Sequence, residues 1–312
     1  MERFVGIDVA QAELVVAVRP DGGTERWANA EAEWTALAAR LGELAPALIV
    51  LEGTGGLEAG VAAALHDAAL PVVVVNPRQV RAFARGIGQQ AKTDPIDAAV
   101  LARFAEVVRP APRLRADAAA RDLRALVTRR RQVRDMRTAE RHRAGRAATA
   151  VQPSLERMLA ALTAELARLD AAIAAALAAD PRRTEATRVL RSAPGVGPVI
   201  AATLLAELPE LGRGEVAAVA ALAGLAPITA QSGRSGGHAT IAGGRAPART
   251  ALYLAAVTAV RCDPTIRLFY ERLLAQHKPR KVALIACAHK LLRSLHAMLR
   301  DGALWTTASC PP

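Results

Sequence analysis

RFVGIDVAQAELVVAV, residues 3–18, decides how this chain folds. It holds two short β-rich runs, RFVGIDVA and LVVAV, separated only by AQAE, and TERWAN further on reads as a third strand. The chain therefore opens as a meander of three short strands. Asp8 interrupts the first apolar run, which makes it either a solvated strand end or a placed carboxylate.

Outward from that stretch the pattern changes. Residues 30–44 carry helical periodicity with Asn29 as a candidate cap. ALIVLE at 47–52 is a continuous apolar run of the kind buried parallel strands use, and it ends on Glu52. GLEAGVAAALHDAAL reads as a helix, PVVVVN as another buried strand, and 94–107 as a closing helix. Three strands, helix, strand, helix, strand, helix describe a mixed α/β sheet of the ribonuclease H type.

The closing helix begins with an unusual pair. In AKTDPIDAAVLARF, residues 91–104, Asp94 suits an N-cap, Pro95 the first helical position, and Asp97 the third, where acids favour the helix dipole. Capping would explain both. A sheet with strands 1 and 4 adjacent and parallel, however, sets Asp8 and Glu52 near one another at the strand C-termini, the edge where open α/β sheets place their sites. With Asp94 and Asp97 they make four carboxylates that one fold can gather. Close anions repel by several kcal/mol unless cations neutralise them. Oxygen-only ligands of that kind suit Mg²⁺, with Mn²⁺ as a substitute.

Charge divides the 312 residues unevenly. The net charge is +12, yet residues 1–112 carry 10 Lys/Arg against 14 Asp/Glu. Residues 113–146 carry 12 against 4, and residues 245–300 carry 11 against 2. An acidic first region followed by basic ones suits cation binding flanked by surfaces for a polyanion. The N-terminus lacks a basic leader before a long apolar run, and no apolar segment reaches about 18 residues without a charge. Cys262, Cys287 and Cys310 show no metal-ligand spacing, and no histidine pair stands at helical spacing beside an acid. These features suggest a cytoplasmic protein with no membrane span and no structural zinc.

Beyond the first domain, residues 1–112, PAPRLRAD reads as a linker. Residues 113–180 read as a helical or coiled-coil region. Leu155, Leu159, Leu162, Leu166, Leu169 and Ile173 repeat at intervals of four and three, behind an arginine-rich helix that includes Arg129, Arg130 and Arg131. Residues 181–302 form a third, largely helical region, with 303–312 as a tail. There PGVGP suggests a helix-hairpin-helix, in which Gly195 and Gly197 turn backbone amides toward a phosphate or simply make a tight bend. TAQSGRSGGHATIAGGRAPAR, polar and glycine-rich between helices, is the kind of long irregular segment that is often functional.

GIDVAQAELVVAV, LEGTGG, NPRQVRAFARGIGQQAKTDPIDAAVLARFAE, PGVGPVIAATLLAELPELG and GGRAPARTALYLAAVTAVRCDPTIRLFYERLLAQHKPRKVALIACAHKLL together resemble the DEDD-type insertion-sequence transposases, a family of RNA-guided DNA recombinases. The resemblance runs in order over roughly residues 3–302. It implies a Holliday-junction-resolvase version of the ribonuclease H fold, then a coiled-coil segment and a C-terminal transposase domain. The family's four acids map onto Asp8, Glu52, Asp94 and Asp97.

The resemblance also implies a serine nucleophile in the C-terminal domain. Ser232, in APITAQSG, holds the matching position, with Ser235 as the alternative. It implies donor and target DNA as substrates, a structured guide (bridge) RNA as partner, and a homodimer or homotetramer. Arg129, Arg130 and Arg131, with Arg245 and Arg249, are then expected on nucleic-acid backbone. Where many family members are more basic before GGR, this chain has GRSGGHATIAGGRAPAR. Two other readings use the same residues: a resolvase-like nuclease that employs water, and an actin-like ATPase with LEGTGG on a phosphate.

Overall fold

A computed structural model describes residues 1–91, 93–111, 118–229 and 240–306. They fall into two compact units, Met1–Arg115 and Ala116–Pro312.

The first unit is a five-stranded sheet between helices. Its elements are β1 Phe4–Val9, β2 Glu13–Arg19, β3 Thr24–Ala28, α1 Glu31–Leu44, β4 Leu48–Glu52, α2 Ala59–Asp67, β5 Val72–Val75, α3 Pro77–Gly86 and α4 Asp94–Val108. The strand order is β3-β2-β1-β4-β5. β1, β2 and β3 pair antiparallel, while β1, β4 and β5 pair parallel, so the meander and the two apolar runs share one mixed sheet.

Alternation assigns each strand residue to a face. Val5, Ile7 and Val9 join Ile49 and Leu51 against Leu37 and Leu41 of α1 and Val61 and Leu65 of α2. Phe4, Leu48, Val50, Val73 and Val75 face the other way, against α3 and α4, where Leu101 and Phe104 fill the layer. Each fully buried Leu or Ile of this kind stabilises the fold by about 1.5–3 kcal/mol.

Three local expectations shift. Asn29 does not cap α1: its side chain donates to the Ala10 carbonyl and accepts from the Trp34 indole, tying the turn after β1 to the helix. α3 is an additional helix, begun by Asn76, whose Oδ1 accepts from the Arg78 amide, with Pro77 in the first turn. α4 begins one residue earlier than its acids suggest. Thr93 is the N-cap and Asp94 the first helical residue, so Asp94 does not close the helix end.

The second unit is helical: α5 Ala118–Ala144, α6 Gln152–Ala178, α7 Pro181–Arg191, α8 Pro198–Glu207, α9 Val216–Ala223, β6 Pro227–Ile228, β7 Thr240–Ile241, α10 Ala246–Cys262, α11 Pro264–Ala275 and α12 Arg280–Asp301. α5 and α6 fold back on one another. Leu123 and Val127 meet Ile173 and Leu177, while Val133 meets Leu166 and Leu169. The leucine seam thus closes on α5 of its own chain at its C-terminal end, and Leu155, Leu159 and Leu162 are half-buried.

α12 lies in the core of this unit, with Cys287, Leu291, Leu292 and Leu295 buried against α10. By length and composition alone α12 could cross a membrane, but half of its apolar window is buried in that core. α10 offers Ala255, Ala256 and Ala259 at its own contacts. Gly195 exploits this: at φ +78° it turns so tightly on α10 that an added Cβ would lie 2.2 Å from the Ala255 carbonyl oxygen.

Candidate functional site

Parallel pairing of β1 and β4 runs Phe4 to Leu48 through Ile7 to Leu51. The same register carried one residue further sets Asp8 beside Glu52. Asp8 shares its face with Gly6, and Glu52 shares its face with Val50, the register partner of Gly6. Both acids therefore lie on the α4 side of the sheet, at the C-terminal ends of their strands, and both are partly exposed.

Gly6 determines where α4 crosses. A Cβ there would lie 2.2 Å from the Ala98 carbonyl oxygen and 2.2 Å from the Ala102 amide, so helix and strand touch backbone to backbone. Ala98 and Ala102, themselves methyl-sized, complete the contact against Val15 and Ala17. The far end of α4 gives its direction. Glu106 pairs with Arg19 at 2.7 Å, Arg19 is the register partner of Phe4, and the Arg109 guanidinium lies 5.0 Å over the Phe4 ring.

α4 consequently runs against β1, and its N-terminus heads toward Asp8. From a crossing midway between Ala98 and Ala102, Asp97 lies about 4.5 Å and Asp94 about 9 Å back along the axis at ~1.5 Å per residue. Asp8 lies about 6.6 Å beyond Gly6 at ~3.3 Å per residue. Spaced at i, i+3 and i+4, Asp94, Asp97 and Ala98 share one helix face. All four acids thus occupy one edge and one side of the sheet.

They are not drawn into a ligand cluster. Among the described residues no three His, Cys, Asp or Glu side chains are close enough to hold a metal ion. By chemistry the donor set, four carboxylates without nitrogen or sulfur, fits a hard divalent cation.

The loop after Glu52 has its own anion. Glu58 Oε2 accepts from the Thr54 amide at 3.0 Å, the Thr54 hydroxyl at 3.2 Å and the Gly56 amide at 2.9 Å. LEGTGG therefore turns its amides onto a carboxylate of its own chain, which takes the position the ATPase reading reserves for phosphate.

Ser232 and Ser235 lie in residues 230–239, outside the described residues. The ends of that segment are pinned together. β6 and β7 pair across it, Pro227 with Ile241 and Ile228 with Thr240. Below them Gly244 meets Gly224 so closely that an added Cβ would lie 2.3 Å from the Gly224 amide. The Arg249 guanidinium donates to the Gly243 carbonyl at 2.6 Å, bracing the same turn, and Arg249 is half-buried.

Arg245 departs from expectation. Expected on nucleic-acid backbone, it instead grips Glu210 with both terminal nitrogens at 2.6 and 2.7 Å and donates to the Glu207 carbonyl at 2.6 Å. Only 17% of its side chain is exposed, so its donors serve the fold. The partner, 35 residues away, leaves no local sequence pattern.

The second unit carries a groove of about 1190 Å³. Arg130, Arg131 and Arg134 of α5 form one wall, and Arg188 and Arg191 of α7 another. Pro198 and Val199, at the N-terminus of α8, open onto it. Gly197 is the N-cap of α8, with open space where a side chain would stand, whereas Gly195 makes an interhelical bend. Arg130 is tied to Asp170 and Arg188 to Glu185, whose carboxyl the Arg188 hydrogen bond holds below the usual range. Exposed Arg129 bonds Gln132 at 3.2 Å and is not part of the groove lining. Arg134 is tied to Asp135 at 2.7 Å, which leaves Arg131 and Arg191 to supply the remaining positive charge.

Known proteins match along the same two regions. Residues 5–153 match a family profile of DEDD-type IS110 transposases, and residues 187–271 match a second, described as the transposase IS116/IS110/IS902 family. The chain belongs to the IS110 family of transposases. All four candidate acids of this IS110-family chain fall within the first match, and Gly195, Gly197, Ser232, Arg245 and Arg249 within the second. Among curated relatives, the uncharacterized 43.6 kDa protein of insertion element IS110 from Streptomyces coelicolor is 38% identical over 161 residues, 50% of this chain and 38% of that protein. The uncharacterized 42 kDa protein of insertion element IS900 from Mycobacterium paratuberculosis is 31% identical over 174 residues, 52% of this chain and 40% of that protein. The matched stretches thus span well under half the length of these relatives.

Proposed function

We propose that this IS110-family chain is a DNA transposase that cuts and rejoins strands with a serine nucleophile and divalent metal, guided by a structured RNA. The observation that carries the proposal is the Gly6 crossing, which brings the N-terminus of α4 to the same sheet edge as Asp8 and Glu52. The strand order β3-β2-β1-β4-β5, antiparallel then parallel, supports a ribonuclease H-like reading of this domain.

Asp8, Glu52, Asp94 and Asp97 would hold the ion. Bound Mg²⁺, or Mn²⁺ in its place, supplies positive charge that offsets carboxylate repulsion and polarises a phosphodiester oxygen. Ser232 Oγ attacks phosphorus. A P–Oγ bond forms, the bond from phosphorus to one deoxyribose oxygen breaks, and the serine proton ends on the departing hydroxyl. The phosphoserine link retains a phosphodiester, so attack by another strand's hydroxyl reverses the step without external energy.

The groove arginines, above all Arg131 and Arg191, suit nucleic-acid backbone rather than base edges. With aromatics at 3% of the chain, base stacking is a minor contribution. Sequence choice then falls to pairing with RNA, and a homodimer or homotetramer holds the two duplexes.

The test is covalent capture. The protein, with RNA transcribed from DNA flanking its reading frame, is incubated with donor and target DNA and resolved under denaturing conditions. Wild type and Ser235→Ala should give a protein–DNA adduct, and Ser232→Ala none. An undiminished adduct with Ser232→Ala removes this serine from the chemistry. Cleavage without any adduct identifies a nuclease that uses water.

A further inference from the structure

On the α9–α11–α12 side of the helical unit lies a smaller cleft of about 380 Å³, near the lower end of ligand-sized cavities. His289, Arg293, His296 and Arg300 form a stripe along α12 at intervals of four, three and four, and all four line it. Lys290 joins them, its ammonium 4.5 Å over the Phe269 ring, which fixes the charge at the cleft wall. Ala286 and Ala297 keep the space open. No Asp or Glu belongs to the lining.

Ser294 supplies the second, independent observation. It lines the same cleft, is only 3% exposed, and its hydroxyl has no hydrogen-bond partner. Several helical hydroxyls among the described residues, those of Thr138, Thr163, Thr187, Thr203 and Thr258, turn back to a carbonyl four residues earlier. Ser294 does not, although a buried hydroxyl left unpaired is unfavourable. Beside it, His296 Nδ1 accepts from the Gly212 amide at 3.1 Å, which places the ring proton on Nε2 as a donor.

We infer that this cleft is a phosphate-binding site, with Ser294 and His296 as neutral donors and Lys290 and Arg293 as cations. Neutral donors at the back with cations toward solvent match a tetrahedral oxyanion, which accepts several hydrogen bonds and carries the opposite charge. Arg300 contributes less, because its guanidinium is bidentate to Asp301 at 2.8 and 3.0 Å. Burial first, and Arg293 second, hold His289 below the ordinary imidazole range, so this ring too enters as a neutral group. The site stands whether or not the acids of the other unit act on DNA. Its ligand is either a backbone phosphodiester or the terminal phosphate of a nucleotide.

The test titrates inorganic phosphate into the full chain while the imidazole resonances of His289 and His296 are followed by NMR. Saturable shifts are expected, weakened at least tenfold in Arg293→Ala and several-fold in Ser294→Ala. Ser294→Ala should melt no lower than wild type, since it removes only an unpaired hydroxyl, so weakened binding there is not unfolding. Competition by an oligonucleotide lacking terminal phosphates assigns the site to nucleic-acid backbone, and competition by a nucleoside monophosphate alone assigns it to a terminal phosphate. Absence of saturable shifts, displacement by neither competitor, or wild-type affinity in both variants overturns the site.

Discussion

Gly6 and Ala98 meet backbone to backbone: a methyl group on Gly6 would lie 2.2 Å from the Ala98 carbonyl oxygen. No side chain can yield at such a contact, so α4 itself would have to move. Gly6→Ala is therefore expected to destabilise the chain by about 3 kcal/mol, at the upper end of overpacking costs. It should also shift the N-terminus of α4 away from Asp8. Urea unfolding checks the first expectation, and a midpoint equal to that of wild type would mean the crossing is looser than described.

Arg245 and Arg131 are both arginines of basic regions, yet their substitutions should read out differently. Arg245→Ala leaves the mostly buried Glu210 without its bidentate partner, an expected loss of about 2 to 3 kcal/mol in unfolding free energy. Direct nucleic-acid affinity of the folded variant should change little. A collapse of binding at unchanged stability would return Arg245 to the phosphate role.

Arg131→Ala should leave unfolding nearly unchanged and weaken nucleic-acid binding. The dependence of log affinity on log salt should become shallower by about one unit, the signature of one lost phosphate contact. Binding measured at several salt concentrations decides, and an unchanged slope excludes Arg131 from the backbone contact.

His289 makes stability depend on pH. Its folded pKa lies below the unfolded value of 6.5, so between the two the unfolded chain binds more protons. The stabilisation from its neutral ring is fully present above about pH 6.5 and is lost as pH falls toward the folded value. His289→Gln should flatten the decline of melting temperature over that interval, measured in buffers without phosphate. Identical slopes for the two proteins would contradict the shift.

Much of this arrangement was legible before any coordinates, because β1, β4 and β5 are bounded apolar runs and buried parallel strands require them. Asp8 and Glu52 stood out as acids ending or interrupting such runs. The geometry that unites them with α4 was not legible. Gly6 looks like any strand glycine until Ala98 arrives from 92 residues away. α3 did announce itself through Asn76 and Pro77, but its arginines obscured the apolar face formed by Val80 and Ala84. Arg245 and Ser294 were opaque for a common reason: their meaning depends on partners, or on a missing partner, fixed only by tertiary packing.

The central claim is that Asp8, Glu52, Asp94 and Asp97 act as one cation site, and Mn²⁺ binding by calorimetry tests it most directly. Wild type should bind Mn²⁺, and Asp8→Asn and Asp97→Asn, one on the sheet and one on the helix, should each weaken binding by at least about tenfold. Undiminished Mn²⁺ affinity in either variant would contradict the account.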